Sequence, residues 1–262
     1  MLGAIIGDIV GSRFEFNNYR KKDFEFFHED CYFTDDSVMT VAIANALMTC
    51  KDYKDLSEFA IKNMLDIGKK YPYCGYGSHF LSWLFGDDQK PYGSFGNGSA
   101  MRVSACGFIA KSIEEVKDLS YKVTCVSHNH PEGIKGAEAT AVAIFLARLG
   151  KDKSTIRDYI DNHYYKLNFT LDEIRATYKF NESCQDTVPQ AIQAFLEAND
   201  YEDAIRNAVS IGGDSDTLAA ITGGIAEAYY GIPERLIEDA KPFLDDTLTR
   251  IIAKFYAFKL IR

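Results

Sequence analysis

The chain lacks the features that would place it in several familiar classes. Its six cysteines, Cys31, Cys50, Cys74, Cys106, Cys125 and Cys184, form no CxxC pair, which removes zinc-ribbon and thioredoxin-like readings. Their scattered spacing in 262 residues suits reduced thiols. No apolar run approaches membrane-spanning length. The opening MLGAIIGDIVGSRFEF has no basic n-region and is interrupted by Asp8, so it does not read as a signal peptide. Positive charge is also short. A net charge of −9 opposes a nucleic-acid-binding surface and suits a site that gathers metal cations. Period-two alternation is scarce, and no βαβ series, linker, low-complexity tract or fixed repeat is found. The expectation is one cytoplasmic domain over 1–262.

What the chain does have is helical periodicity. Apolar, often Ala-rich stretches cover 38–48, 57–67, 101–110, 188–198, 201–210, 217–230 and 245–259. A further run starts at Pro131, a favourable first helical position, and stops at Gly150. This predicts an all-α, compact, multi-helix domain whose loops are rich in Gly, Ser, Asn and Asp.

Two of these helices begin with more oxygen than a cap requires. FTDDSVMTVAIANAL places Thr34, Asp35, Asp36 and Ser37 before an apolar run, although one capping side chain suffices. GGDSDTLAAITGGIAEA repeats the pattern with Asp214, Ser215, Asp216 and Thr217. Either start alone is explained by capping and by the helix dipole. Together they offer four carboxylates. If the starts converge, repulsion among them calls for cations, and hard oxygen ligands select Mg²⁺, Mn²⁺ or Ca²⁺ over Zn²⁺. Spacing along the chain leaves their convergence open.

Other segments are less specific. GSFGNGSAMR, Gly93 to Arg102, is either a flexible turn or a loop whose N–H groups approach an anion at a helix start. It lacks a P-loop ending, and no strand precedes it. His128 and His130 in SHNHPEG suggest metal only weakly, since imidazole is a poor partner for a hard ion. Glu15, taken alone, reads as a surface glutamate, and Tyr76 as packing. Cys74 has no evident base partner and reads as structural.

Taken in order, GDIVGSRFE, TDDS at 34–37, GYG at 75–77, GSFGNGSAMR, SHNHPEGIKGA and GGDSDT at 212–217 resemble the ADP-ribosylglycohydrolase family over nearly the whole chain. The resemblance implies an orthogonal helical fold with two Mg²⁺ or Mn²⁺ ions in a central cleft. Thr34, Asp35, Asp36, Asp214, Asp216 and Thr217 would be the ligands, with Asp216 bridging. Ser37 or Thr34 would cap the helix, and Ser215 would point away. Glu15 would position or deprotonate the attacking water, with Asp35 or Asp36 as rivals. Ser94, Gly96, Asn97 and Gly98 would contact a diphosphate, Phe95 would stack on adenine, and His128 would contact phosphate or the distal ribose. His130 would support the loop, Tyr76 would line the cleft, and Arg102 would make a structural ion pair.

The implied reaction is hydrolysis of the glycosidic bond between ADP-ribose and an acceptor, through an oxocarbenium-like transition state. The partner would be an ADP-ribosylated protein, on a side chain such as arginine, or a small ADP-ribosyl compound. The resemblance also implies a monomer. Two rival readings stand beside this one. The first is a non-catalytic ADP-ribose-binding or crystallin-like structural module. The second is a dimetal phosphoesterase, against which the lack of a His-rich ligand set counts.

Overall fold

The computed structural model describes residues 1–261, and those residues form an all-helical fold. The helices are α1 (Leu2–Ser12), α2 (Asp35–Thr49), α3 (Leu56–Gly68), α4 (Ser78–Phe85), α5 (Gly98–Met101), α6 (Ser104–Ile109), α7 (Ile113–Thr124) and α8 (Pro131–Arg148). After these come α9 (Lys153–His163), α10 (Leu171–Arg175), α11 (Cys184–Glu197), α12 (Tyr201–Val209), α13 (Ser215–Tyr230), α14 (Glu234–Ala240) and α15 (Asp246–Ile261). A 3₁₀ turn, Lys241–Phe243, joins the last two. Among the described residues the one strand-like pairing is an isolated antiparallel bridge between Gly96 and Ser183. No described helix is long and apolar enough to cross a membrane.

The helix expected over 101–110 is two short ones, α5 and α6, separated at Arg102 and Val103. Several helices lie outside the sequence expectation. Two of these carry ordinary start signals. Ser112 Oγ accepts from Glu115 N at 3.2 Å to cap α7, and Asp152 Oδ1 accepts from Thr155 N at 2.8 Å to cap α9. Helix α1 carries no such signal. It is buried along almost its whole length and shows no polar face.

The placement of α1 organises the molecule. Gly3, Gly7 and Gly11 recur every four residues and so share one face. That face lies directly on the backbone of α13. A Cβ on Gly7 would overlap the Ala219 carbonyl, and one on Gly11 would stand 2.6 Å from Asp216 Cα. Removing the side chains lets the two backbones touch, as small residues do between helices in apolar surroundings. Helices α2 and α8 pack around this pair and are themselves buried on most sides. Their Ala, Val and Ile side chains join one continuous core. Full burial of each larger apolar side chain contributes about 1.5–3 kcal/mol.

Candidate functional site

The two acidic helix starts meet, and α1 brings them together. At one position on α1, Asp8 faces the start of α2. It accepts from Thr34 N (2.9 Å), Thr34 Oγ1 (2.7 Å), Ser37 N (3.0 Å) and Ser37 Oγ. One turn further on, Gly11 touches the start of α13. The junction is closed by Thr217 Oγ1, which donates to Asp36 Oδ2 at 3.2 Å. Thr34, not Ser37, caps α2: its Oγ1 accepts from Asp36 N at 3.2 Å. Of the two expected caps, Thr34 holds and Ser37 does not, because its N–H and hydroxyl are both given to Asp8.

The approach to α13 depends on two glycines. Gly212 and Gly213 have φ of +71° and +79°, a region that side chains disfavour. A Cβ on Gly212 would lie 2.6 Å from Asn18 Oδ1, and one on Gly213 3.1 Å from Tyr178 Cδ1. The loop carrying Glu15 is tied to the same turn. Asn18 Oδ1 accepts from Gly213 N at 3.1 Å. The Arg20 guanidinium donates to the carbonyls of Arg175, Tyr178 and Ile211.

These contacts gather acids around a cavity of about 200 Å³ lined by Glu15, Asp35, Asp36, Asp214, Asp216 and Thr217. Carboxylate oxygens of Glu15, Asp214 and Asp216 all lie within 4.8 Å of one another. Burial raises the Asp35, Asp36 and Asp216 carboxyls well above the usual range, and their mutual repulsion adds to this. Asp214 is pushed up to about 6, mainly by burial, with a hydrogen bond from Asn97 acting the other way. Glu15 is pushed up to about 8 by burial and by the charges of Asp216, Asp8 and Glu182. Asp8 rises to about 6, held down from further by its four hydrogen bonds.

A divalent cation fits this donor set. Asp36 Oδ1 is buried with no hydrogen-bond partner among the described residues, a costly state that an ion would relieve. The donors are all oxygen, which suits a hard cation. Thr34 does not line the cavity, and its hydroxyl already donates to Asp8 and accepts from Asp36 N. Ser215 turns inward and donates to Gly213 O at 3.2 Å.

The same cavity is also lined by Ser94, Gly96, Asn97, Gly98, Arg102 and His128. The Gly-rich loop is braced by residues 182–184: Asn97 N donates to Glu182 O at 2.7 Å, and Cys184 N to Phe95 O at 3.0 Å. Gly96 N donates to Ser94 Oγ at 3.1 Å, so a phosphate oxygen would have to take the place of that hydroxyl. The side-chain amide of Asn97 donates to Asp214 Oδ2 at 2.6 Å and to Thr187 Oγ1 at 3.1 Å. All three N–H bonds of Asn97 are thus spent inside the protein, and the expected phosphate contact is corrected to a strut that holds Asp214.

Two further expectations, for Tyr76 and for Arg102, change. Tyr76 does not line the cleft. It is buried, its hydroxyl donates to Gly68 O at 3.2 Å, and its ring packs on Phe80. Phe95 stands outside the cavity lining, half-exposed at the rim with its ring against His130. Arg102 makes no ion pair among the described residues, although it is almost wholly buried. His130 caps α8 through Nδ1, which accepts from Glu132 N at 3.1 Å.

Sequence reasoning missed Glu182, Arg20 and Asn18. Nothing around Glu182 in FNES marks it, since the Gly96–Ser183 bridge that delivers it joins distant segments. Asn18 is one of two non-glycine residues with positive φ among the described residues, a property invisible in composition. The Gly3, Gly7, Gly11 spacing was the one available clue to the central helix pair.

Fold and site together define an all-helical protein built around a cleft lined by cation-suited acids and a glycine-rich loop. The sequence profile of the ADP-ribosylglycohydrolase family matches residues 1–259, and the chain belongs to that family. It is 24% identical to human ADP-ribosylhydrolase ARH3, over 89% of this chain and 85% of that protein. It is also 24% identical to the ADP-ribosylarginine hydrolase Tri1 of Pseudomonas putida, over 88% of this chain and 70% of that one. A solved structure titled an ADP-ribosylglycohydrolase-related protein complex has the same fold, with a TM-score of 0.73 at 19% identity, over 98% of this chain and 95% of that chain.

Proposed function

We propose that this protein is a metal-dependent hydrolase that cleaves the glycosidic bond between ADP-ribose and an acceptor, and that the acceptor is a protein side chain such as arginine. Family membership supports ADP-ribosyl hydrolysis. The observation that carries the metal requirement is the orphaned Asp36 Oδ1 beside the other acids that line the cavity. Asp35, Asp36, Asp214, Asp216 and Thr217 would hold two Mg²⁺ or Mn²⁺ ions, with Thr34, bonded to Asp8 and Asp36 N, bracing the start of α2 rather than binding metal. When bound, the ions supply Lewis-acid charge and a template for adjacent ribose hydroxyls.

The chain's own residues do the rest. The glycine-rich loop holds the diphosphate, and that remote binding energy positions the reacting ribose. Glu15 accepts a proton from water as the water oxygen bonds to the anomeric carbon. The bond from that carbon to the acceptor breaks, and its electron pair leaves with the acceptor. The acceptor then takes up a proton, which restores the balance. Glu15 suits this role because its carboxylate lines the cavity within 4.8 Å of those of Asp214 and Asp216.

The test is release of free ADP-ribose from ADP-ribosyl-arginine, -serine and small-molecule substrates with Mg²⁺, Mn²⁺ or EDTA. Asp35→Ala, Asp36→Ala and Asp216→Ala are expected to remain folded and lose turnover. Full activity in these variants, or in metal-stripped wild type, would overturn the reading.

A further inference from the structure

Arg102 is an almost wholly buried cation outside the acid cluster, and no carboxylate pairs with it among the described residues. It is about 1% exposed. Its Nη2 donates to Ser127 Oγ at 2.7 Å and reaches the carbonyls of Val123 and Thr124 only at 3.4 and 3.5 Å. Its Nε is buried without a partner. Its guanidinium carbon stands 5.6 Å from the centre of the Phe80 ring. Burial brings it down to about 10, so it is charged at neutral pH. An isolated buried cation is costly unless some anion approaches it.

The route to the cleft runs through His128. Arg102 has donors only, so Ser127 Oγ must accept from it. The Ser127 hydroxyl proton is then free to point at His128 Nδ1, 2.8 Å away. Arg102 Nη2 also approaches that nitrogen, at 3.5 Å. With the Ser127 hydroxyl aimed at it, Nδ1 is an acceptor, and a neutral imidazole then carries its proton on Nε2. Nε2 is the atom that faces the glycine-rich loop: Cβ atoms built on Gly98 and Gly96 would stand 3.4 and 3.7 Å from it. The ring is fixed between Tyr92 and Phe80, 5.7 and 6.3 Å away between centres.

We infer that Arg102 and Ser127 are positioning residues that lock His128 as its Nε2–H tautomer, making the loop side of the cleft a donor site for an anionic group. The pair aims one N–H at the loop, and Arg102 adds positive charge behind it. The site takes a phosphate or diphosphate group. That this group belongs to ADP-ribose rests on the function proposed above; the tautomer does not.

The experiment is long-range ¹H–¹⁵N correlation spectroscopy of the full chain at pH 7, with His128 assigned by its loss in His128→Asn. A pyrrole-type Nε2 and a pyridine-type Nδ1 are expected. Titration with ADP-ribose in Mg²⁺, and with ADP in EDTA, follows for wild type and Ser127→Ala. The variant is expected to bind each about tenfold more weakly, the worth of one lost charge-linked hydrogen bond. A protonated Nδ1 or an imidazolium would overturn the inference, as would unchanged affinity in Ser127→Ala. Should Ser127→Ala fail to fold, the wild-type spectrum still decides the tautomer. Wild type that shows the expected tautomer but binds no ADP-ribose would remove the proposed function and leave the lock standing.

Discussion

The acid cluster should make the metal-free protein less stable than it would be without one of its charges, and Asp214→Asn measures this. The substitution keeps shape, and its amide oxygen still accepts from Asn97, which lies 2.6 Å from Asp214. The folded-state value for Asp214 is about 6, against an ordinary 3.8, chiefly because of burial. The unfolded chain therefore releases this proton first as pH rises. Below about pH 4 both states hold it and no penalty exists. The penalty grows through the window between about 4 and 6 and is complete above it. A gap of about two pH units is about 3 kcal/mol. With EDTA at pH 8, Asp214→Asn should melt above wild type by up to roughly 6–12 °C, at about 2–4 °C per kcal/mol for a chain of this size. At pH 4 the two should coincide. Adding Mg²⁺ at pH 8 should raise the wild-type melting temperature by mass action and the variant's much less. A variant that melts at or below wild type at pH 8 without metal, or with the same difference at both pH values, would refute the reasoning.

Other changes probe the frame around the acids. Gly7→Ala sets a methyl against the Ala219 carbonyl; overpacking of about 1–3 kcal/mol is expected, seen in thermal melts. A shift of about 1 Å between α1 and α13 should also lower turnover on the order of 100-fold; wild-type rates would show that helix contact does not set the site. Asn97→Ala should weaken Mn²⁺ binding about 10–100-fold, as loss of a residue that orients a ligand does, and electron paramagnetic resonance of free Mn²⁺ reads this directly. Glu15→Gln should abolish the rising limb of the pH–rate profile. In wild type that limb should lie below pH 8, because bound cations favour the ionised form of a carboxylate held up to about 8 without them; a limb that persists in Glu15→Gln assigns the base elsewhere.

The helices that carry the acids were legible because amphipathic and Ala-rich runs mark them, and the surplus of oxygen at Asp35–Asp36 and Asp214–Asp216 stood out against what a cap needs. Their meeting was not legible. It depends on Asp8 and Gly11, one a buried carboxylate in an apolar helix and the other a residue with no side chain. Asn97 illustrates a second limit. Its place in a glycine-rich loop pointed to phosphate, whereas the fold turns its amide toward Asp214 and Thr187. Tyr76 illustrates a third: the family resemblance implied a place in the cleft, whereas its ring packs on Phe80 and its hydroxyl donates to Gly68 O, as its residue type alone suggested. For the acids and for Asn97 the deciding partner is distant in sequence, where local pattern carries no information.

The bond between Thr217 and Asp36 joins residues 181 positions apart. Each half of the acidic cradle is therefore an ordinary helix start until nearly all of the intervening chain has folded and α13 has settled onto α1. A partly unfolded or cleaved molecule would keep every acidic residue and have nowhere to put a cation. Metal affinity in this architecture is a report on long-range closure, and a divalent ion would act as the clasp that makes the last stage of assembly hard to reverse.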